Sequence, residues 1–519
     1  MNSIRVKRLG LSILSGLLFA FSWVGIGFFP LIFIAFIPIL LLEKDLSEDK
    51  SSLYKLFVYS FITFFLFNII TTFWIWHASV VGAFVAFFVN TILMSSVLVC
   101  FSFAKRIIGD RKSYFTLLSF WITMEYLHLN WELAWPWLNL GNVFASNPFM
   151  VQWYEYTGVL GGTLWILLIN ILIFRYIQVK KHKNWVVLLV FVLPLIISFF
   201  LSKKEYIIDK ELEVVIVQPN IDPYFEKFSI DPDKQLDDLI LLSKEKLTQN
   251  TLFLIAPETA IQESIWESNI QSSSTYKKIR LLQSEFPNLN IIMGANTFRY
   301  LGENRQKNSR KLNNSDDWYN CYNTSILFGN NKNFDFYHKV KLVPGVEQIP
   351  YSNIFNLIAD FTINLGGVSG SLSIDNTIEY YKSNDIKIVP LICYESVFGE
   401  ILNNINYNLL VIITNDGWWK DTPGYKQHLQ YSRLRSIEQR KFIVRSANTG
   451  ISAIINIFGE IIEQSNWDQK HVIRQNVNTN NITTFYNIHG DYIGRILSFL
   501  SVLIFLSILV KFLLKKTSL

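Results

Sequence analysis

The chain has 519 residues; half are hydrophobic, 15% are aromatic with 42 Phe, and only 17% are charged. Soluble proteins carry roughly 25% charged residues, so the composition excludes a disordered chain and one that coats nucleic acid: charge is too scarce and apolar surface too abundant. The net charge of +6 lies wholly in residues 1–201, with 14 Lys/Arg against 8 Asp/Glu, while 202–519 balance at 33 of each. An excess confined to the most apolar part reports membrane topology.

Apolar runs of about 17–25 residues can cross a bilayer. They fall near 9–26, 28–43, 56–76, 83–104, 114–129, 158–175, 185–201 and 493–513. These predict a membrane domain over 1–201 with about seven transmembrane helices, and a final transmembrane helix with a short tail over 493–519. Arg5, Lys7 and Arg8 precede the first run as in a signal peptide, but no small-residue cleavage site follows, so an uncleaved helix is expected. Lysines and arginines cluster in alternate connections: Lys44, Lys50 and Lys55; Lys105, Arg106, Arg111 and Lys112; Arg175, Lys180, Lys181 and Lys183. The tail adds Lys511, Lys515 and Lys516, and the connections near 77–82 and 130–157 hold no Lys or Arg. By the positive-inside rule both termini face the cytoplasm and 202–492 lies outside. Trp74, Trp76, Trp131, Trp135, Trp137 and Trp153 fall at the outer span ends, where an interfacial aromatic belt is expected.

Residues 202–492 alternate short β-rich runs with amphipathic helical patterns. The runs are 214–217, 252–255, 291–293, 325–328, 386–392, 409–413, 442–444 and 452–455; the helical patterns are 232–248, 274–285 and 425–441. This is a layered α/β domain. Residues 299–320 and 466–483 read as exposed loops, and Gly366–Gly370 as a flexible one.

Walker, dinucleotide-binding, HExxH and paired CxxC patterns are absent, and seven scattered His do not suggest a metal centre. Three places can carry chemistry. Ala256-Pro257-Glu258 puts a carboxylate after an apolar strand; such an acid is ordinarily a cap or loop residue, but in a dry site it is a general base. Tyr337–Pro344 carries Lys339 and Lys341 beside a Pro-Gly turn; lysines there are usually solvated, but a buried one supplies fixed charge to an oxyanion. Ile392-Cys393-Tyr394-Glu395 ends a strand and opens an expected helix. A lone Cys is usually inert packing, whereas a helix N-terminus would lower its pKa. Cys100 is expected to pack within a span, and Cys321 shares a compartment with Cys393, so a disulfide between them is conceivable.

An acid after one strand, a lysine downstream and a cysteine at a later strand end, followed by Asn415-Asp416-Gly417-Trp418-Trp419, resemble the carbon–nitrogen hydrolase (nitrilase) superfamily. His428–Glu438 and Arg445–Gly450 extend the likeness. The resemblance implies a nitrilase-like α-β-β-α sandwich with a Glu–Lys–Cys triad. Glu258 would be the general base, Lys339 the triad lysine and Cys393 the nucleophile, with Glu347, Tyr394 and Glu395 as further residues at the substrate. A family Pro-Phe-Gly-Glu run is here Pro344-Gly345-Val346-Glu347, with its glycine shifted. Phe228 stands where a loop tryptophan is usual, and no role is assigned there.

With spans before and after this domain, the chain is similar to the membrane branch of that superfamily that N-acylates bacterial lipoproteins, the last step of lipoprotein maturation. That implies a phospholipid acyl donor such as phosphatidylethanolamine, a diacylglyceryl-cysteine apolipoprotein as acceptor, a cysteine thioester intermediate, and no cofactor or metal. It also implies residence in the bacterial cytoplasmic (inner) membrane with the catalytic domain over 202–492 in the periplasm. A monomer is expected, with no nucleic-acid partner. The alternatives are a membrane-tethered amidase or nitrilase, which passes the acyl group to water, and an inactive scaffold.

Overall fold

The computed structural model describes residues 2–47, 52–179, 184–351, 371–375 and 377–517. Gly366–Gly370 lie outside the described residues. The chain divides into two compact units, one of residues 1–73, 82–204 and 488–519, the other of 74–81 and 205–487.

The first unit is helical. Among the described residues, five helices are long and apolar enough to cross a membrane: Ser52–Thr72, Val80–Ile108, Tyr154–Gln178, Trp185–Ser202 and Tyr492–Leu514. Asn2–Ser22 and Asp110–Leu127 are also helical, with basic residues near their starts. The run over 28–43 is not one helix. Pro30 and Pro38 divide it into a 3₁₀ turn, Phe29–Phe33, and a helix, Ile37–Leu46. Asn170 satisfies the backbone at that break, donating to Ile32 O at 2.9 Å and accepting from Phe36 N at 3.0 Å. An apolar environment requires such internal partners. Gly16 lies so close to Thr63 that a Cβ would meet its carbonyl oxygen at 2.7 Å, the close approach that small residues give to helices in lipid. Cys100 is exposed on its helix rather than packed inside.

The second unit is a four-layer α-β-β-α sandwich. The strands that build the site are β1 (Lys210–Gln218), β2 (Phe253–Ile255), β4 (Asn290–Gly302), β6 (Trp318–Phe328), β7 (Phe334–His338), β9 (Ile386–Ile392), β10 (Leu409–Thr414) and β11 (Ile443–Ala447). Besides these there are β3 (Ile261–Trp266), β5 (Arg310–Lys311), β8 (Tyr381–Ser383), β12 (Ala453–Ile455), β13 (Ile461–Gln464) and β14 (His471–Thr479). One sheet runs β14-β1-β2-β4-β6-β5, with β3 paired to β4 and β7 to β6; the other runs β13-β12-β11-β10-β9-β8. β1, β2 and β4 pair in parallel, as do β9, β10 and β11. Both faces of these strands are covered, so they read as unbroken apolar runs. Val214, Ile216, Ile388, Ile392, Val411 and Ile413 fill the layer between the sheets. Val215, Val217 and Leu254 pack outward on Leu236, Leu239 and Ile279 of helices Pro232–Lys244 and Ser274–Glu285. On the other side Val389, Leu391, Leu410 and Ile412 pack on Leu429 of helix Pro423–Gln439.

That helix starts with Thr422 accepting from Gly424 N and Pro423 in its first turn, a standard N-terminal signal. Gly424 is needed for packing, since a Cβ there would meet the Trp74 ring at 2.6 Å. Trp74 is 1% exposed; its indole donates to Gln427 Oε1 at 3.2 Å, and its ring lies 4.7 Å from that of Trp419. The aromatic-belt expectation therefore fails for Trp74, which is core of the second unit, and for fully buried Trp137.

The loop expected over 466–483 contains β14, His471–Thr479, antiparallel to β1. Its polar residues disguise it, because an edge strand buries few side chains. Residues 299–320 likewise include the end of β4, the two-residue β5 (Arg310–Lys311) and the start of β6.

Candidate active site

The carboxyl ends of parallel strands are where open α/β sheets present ligand sites, and four candidate residues meet there. After β2 the chain keeps pairing with β4, through Ala256 N to Ile292 O at 2.8 Å and Gly294 N to Pro257 O at 3.0 Å. This continuation fixes Glu258. Gly294 leaves no room for a side chain, because a Cβ would lie 2.6 Å from Glu258 Cα and 2.4 Å from Thr259 N. Thr259 takes a φ of +48°, a strained conformation for a β-branched residue.

Glu258 is buried, and both of its oxygens accept hydrogen bonds. Its Oε1 accepts from Asn323 Nδ2 at 2.8 Å and Lys339 Nζ at 3.3 Å, and its Oε2 accepts from Asn415 N at 3.0 Å. Lys339 follows β7 directly and is held by its own N–H on Asn323 O at 2.9 Å. Its ammonium also reaches Glu347 Oε1 at 2.9 Å, so it bridges two carboxylates. Burial opposes that charge, but Glu347, Glu258 and Cys393 outweigh it and hold the lysine above its ordinary pKa. Glu347 is seated by Val343 N at 2.9 Å and Asn323 Nδ2 at 2.9 Å. Gly345 in this turn has φ +77°, which explains a glycine at that position of the Pro344–Glu347 run.

Cys393 sits immediately after β9 with φ +50°, at the start of a five-residue 3₁₀ turn, Cys393–Val397. Its carbonyl accepts from Ser396 Oγ at 2.8 Å and lies 3.2 Å from His428 Nε2. The thiol is not activated as the sequence suggested. The turn is too short to act as a helix N-terminus, and burial pushes the thiol pKa up, aided by the negative charge of Glu258; Lys339 pulls it back only in part. A thiol held above its ordinary pKa calls for general-base activation rather than a standing thiolate.

Glu258, Lys339, Glu347 and Cys393 line one cavity, together with Lys227, Phe228, Asn323, Trp418 and Trp419, and with Ala78 from the 74–81 segment. Tyr394 and Glu395 are not among the described residues that line it. Tyr394 is buried with its ring edge-on to Phe398. Glu395 is fully buried, and its oxygens accept from Val340 N at 2.6 Å, Ile392 N at 2.7 Å and Tyr337 Oη at 3.1 Å. Burial raises its pKa to about 7 against those hydrogen bonds. The oxygens of Glu395 accept from donors on both segments, and so it ties the Lys339 loop to the Cys393 turn. Lys341 is not free in solvent either; its amide lies 3.3 Å from Glu395 Oε1 and its ammonium 5.2 Å from the Phe398 ring centre.

Behind Cys393 lies a fully buried network, built from residues of the family-like segments at 415–419, 428–438 and 445–450, whose pairing the sequence did not reveal. Asp416 accepts from Thr414 Oγ1 at 2.8 Å and Arg445 Nη2 at 2.6 Å, and pairs with His428 Nδ1 at 2.9 Å. Cys393, Asp416 and His428 are close enough to be metal ligands. Arg445, which is also 3.1 Å from His428 Nδ1, already provides the positive charge a cation would bring, so the trio does not fit a metal. All three cysteines are free, Cys321 included, so the conceivable Cys321–Cys393 disulfide is absent.

Residues 15–172 match the family model described as the apolipoprotein N-acyltransferase N-terminal domain, and 213–486 match that of carbon-nitrogen hydrolase. The chain is 28% identical over 511 residues to "Apolipoprotein N-acyltransferase" of Chlorobaculum tepidum, covering 94% of each. It is 26% identical over 512 residues to the protein of that name in Geobacter metallireducens, covering 93% of this chain and 91% of the relative. Against "Apolipoprotein N-acyltransferase 1" of Treponema denticola it is 26% identical over 527 residues and covers 93% of each. With a catalytic-type sandwich whose carbon-nitrogen hydrolase match spans more than half its length, this chain belongs to the carbon–nitrogen hydrolase family.

Proposed function

We propose that this protein transfers an acyl chain from a phospholipid to the α-amino group of a diacylglyceryl-cysteine lipoprotein, by way of a thioester on Cys393. The observation that carries the reading is Glu258, Lys339 and Cys393 lining one cavity, in a chain that also has helices able to cross a membrane. The names of its relatives along nearly their whole length support the acceptor class. Both substrates hold acyl tails in a bilayer, which accounts for joining this sandwich to membrane helices. The basic residues of alternate connections support an inner-membrane protein with the sandwich on the periplasmic side.

Glu258 takes the thiol proton as the sulfur attacks the donor's ester carbonyl. Lys339, held between two carboxylates, presents fixed positive charge to the oxyanion. Collapse expels lysophospholipid, whose alkoxide regains the proton from Glu258. The acceptor amine then attacks the thioester, Glu258 removes its extra proton, and the amide leaves as the thiol is restored. Glu347 positions Lys339, and Glu395 positions the loop that carries it.

Purified protein given phospholipid and a diacylated lipopeptide is expected to yield N-acylated peptide and lysophospholipid in equal amounts, read by mass spectrometry. Free fatty acid without acylated peptide would instead identify a membrane-tethered hydrolase, and no turnover a scaffold.

A further inference from the structure

Lys227 has no place in the chemistry above, yet its side chain is buried at 8% exposure in the wall of the same cavity. The loop after β1 fixes it: its N–H bonds Asp222 O at 2.9 Å, and its carbonyl accepts from Gln235 Nε2 at 2.8 Å. The ammonium hydrogen-bonds Thr259 Oγ1, next to Glu258, and lies 5.7 Å from the ring centres of both Phe228 and Trp418. Among the described residues no carboxylate comes within ion-pair distance of it, whereas Lys339 has two. An ammonium has three donor hydrogens, and one neutral hydroxyl does not balance the cost of burying a charge. Two aromatic faces stabilise the cation without neutralising it. Among the described residues the Lys227 ammonium thus has donors to spare, on the cavity that holds Cys393.

We propose that Lys227 anchors the acyl donor by its phosphodiester, donating to a non-bridging oxygen while the donor's ester carbonyl lies at Cys393. The inference rests on the acyl-transfer reading, in which the phosphodiester is the permanent anion a phospholipid donor carries near its reacting ester. The acceptor, by contrast, offers an amine and no phosphate. Burial lowers the lysine to about 8, against the pull of Glu258 and Cys393; a phosphate beside it favours the charged form. The aromatic rings would line the path of the neighbouring glycerol and acyl carbons.

The test is a cycle of two enzymes and two donors. Full-length wild type and Lys227→Met, in neutral detergent micelles, are offered a phosphatidylethanolamine or the diacylglycerol with the same acyl chains. The rate of acyl-enzyme formation is followed by intact mass. Wild type is expected to prefer the phospholipid by about tenfold or more, the size of one charge-assisted hydrogen bond. Lys227→Met should bring that preference close to one, mainly through loss on the phospholipid arm, and Lys227→Arg should restore part of it. A preference unchanged in Lys227→Met, with both donors slowed equally, would overturn the proposal and assign Lys227 to the oxyanion instead. If wild type forms no acyl-enzyme from either donor, the acyl-transfer reading itself fails.

Discussion

Cys393→Ala is expected to abolish acylation while the protein inserts and melts much as wild type does. The variant removes one sulfur at a position 8% exposed, and the backbone at residue 393 stays held through its carbonyl. Cys393→Ser should be nearly as inactive, by at least about a thousandfold. A hydroxyl is a far weaker acid than a thiol, burial already raises the pKa at this site, and a single carboxylate will not ionise it. Single-turnover acylation, with a thermal melt of the same preparation, checks both halves. Near-normal acylation in Cys393→Ala would end the nucleophile assignment.

Lys339→Met should be lost twice over, in stability and in activity. It leaves Glu258 and Glu347 as neighbouring buried carboxylates sharing only Asn323 Nδ2, with bonds of 2.8 and 2.9 Å. Removing one partner of a buried ion pair costs about 3–5 kcal/mol. The pH dependence has a definite sign. In wild type the lysine is raised above its ordinary value, so its contribution is fully present below the unfolded lysine pKa of about 10.4 and is lost only as pH rises through the higher folded value. In the variant that lysine contribution is absent at every pH, so the loss of stability at high pH that it causes in wild type should disappear. Thermal melts across pH separate these trends. Lys339→Arg keeps the charge and should spare most of the stability, yet a broad planar guanidinium does not fit between two carboxylates and an oxyanion, so acylation should stay low. An active Lys339→Arg would show that charge alone suffices.

The layered fold was legible because strands covered on both faces read as plain apolar runs, and β9 and β10 stand out as such. Glu258 and Cys393 were legible for the same reason: each is the first chemically distinctive residue where such a run ends. Lys339 was separable from Lys341 only through family likeness, since both lie beside one turn; the structure distinguishes them by putting Lys339 on two carboxylates and Lys341 on an aromatic ring. Glu395 looked like a site acid from its neighbour, and only its four-donor environment reveals a positioning role. Lys227 gave no signal, Trp74 read as an interfacial residue, and Asp416, His428 and Arg445 stood out only as parts of family-like segments, with nothing to show that they pair. Their burial comes from elements distant in sequence, such as Trp74 meeting Gln427 and Lys227 meeting Thr259. β14 was hidden because edge strands need little apolar patterning.

The most direct test of the account is the acyl-enzyme itself. Pure protein is incubated with phospholipid and no acceptor, and its intact mass is measured before and after neutral hydroxylamine, which cleaves thioesters. A gain of one acyl group is expected, mapped to the peptide containing Cys393, removed by hydroxylamine, and passed to a diacylated lipopeptide when that is added. A mass that rises only when both substrates are present, or an acyl group found on another residue, would contradict it.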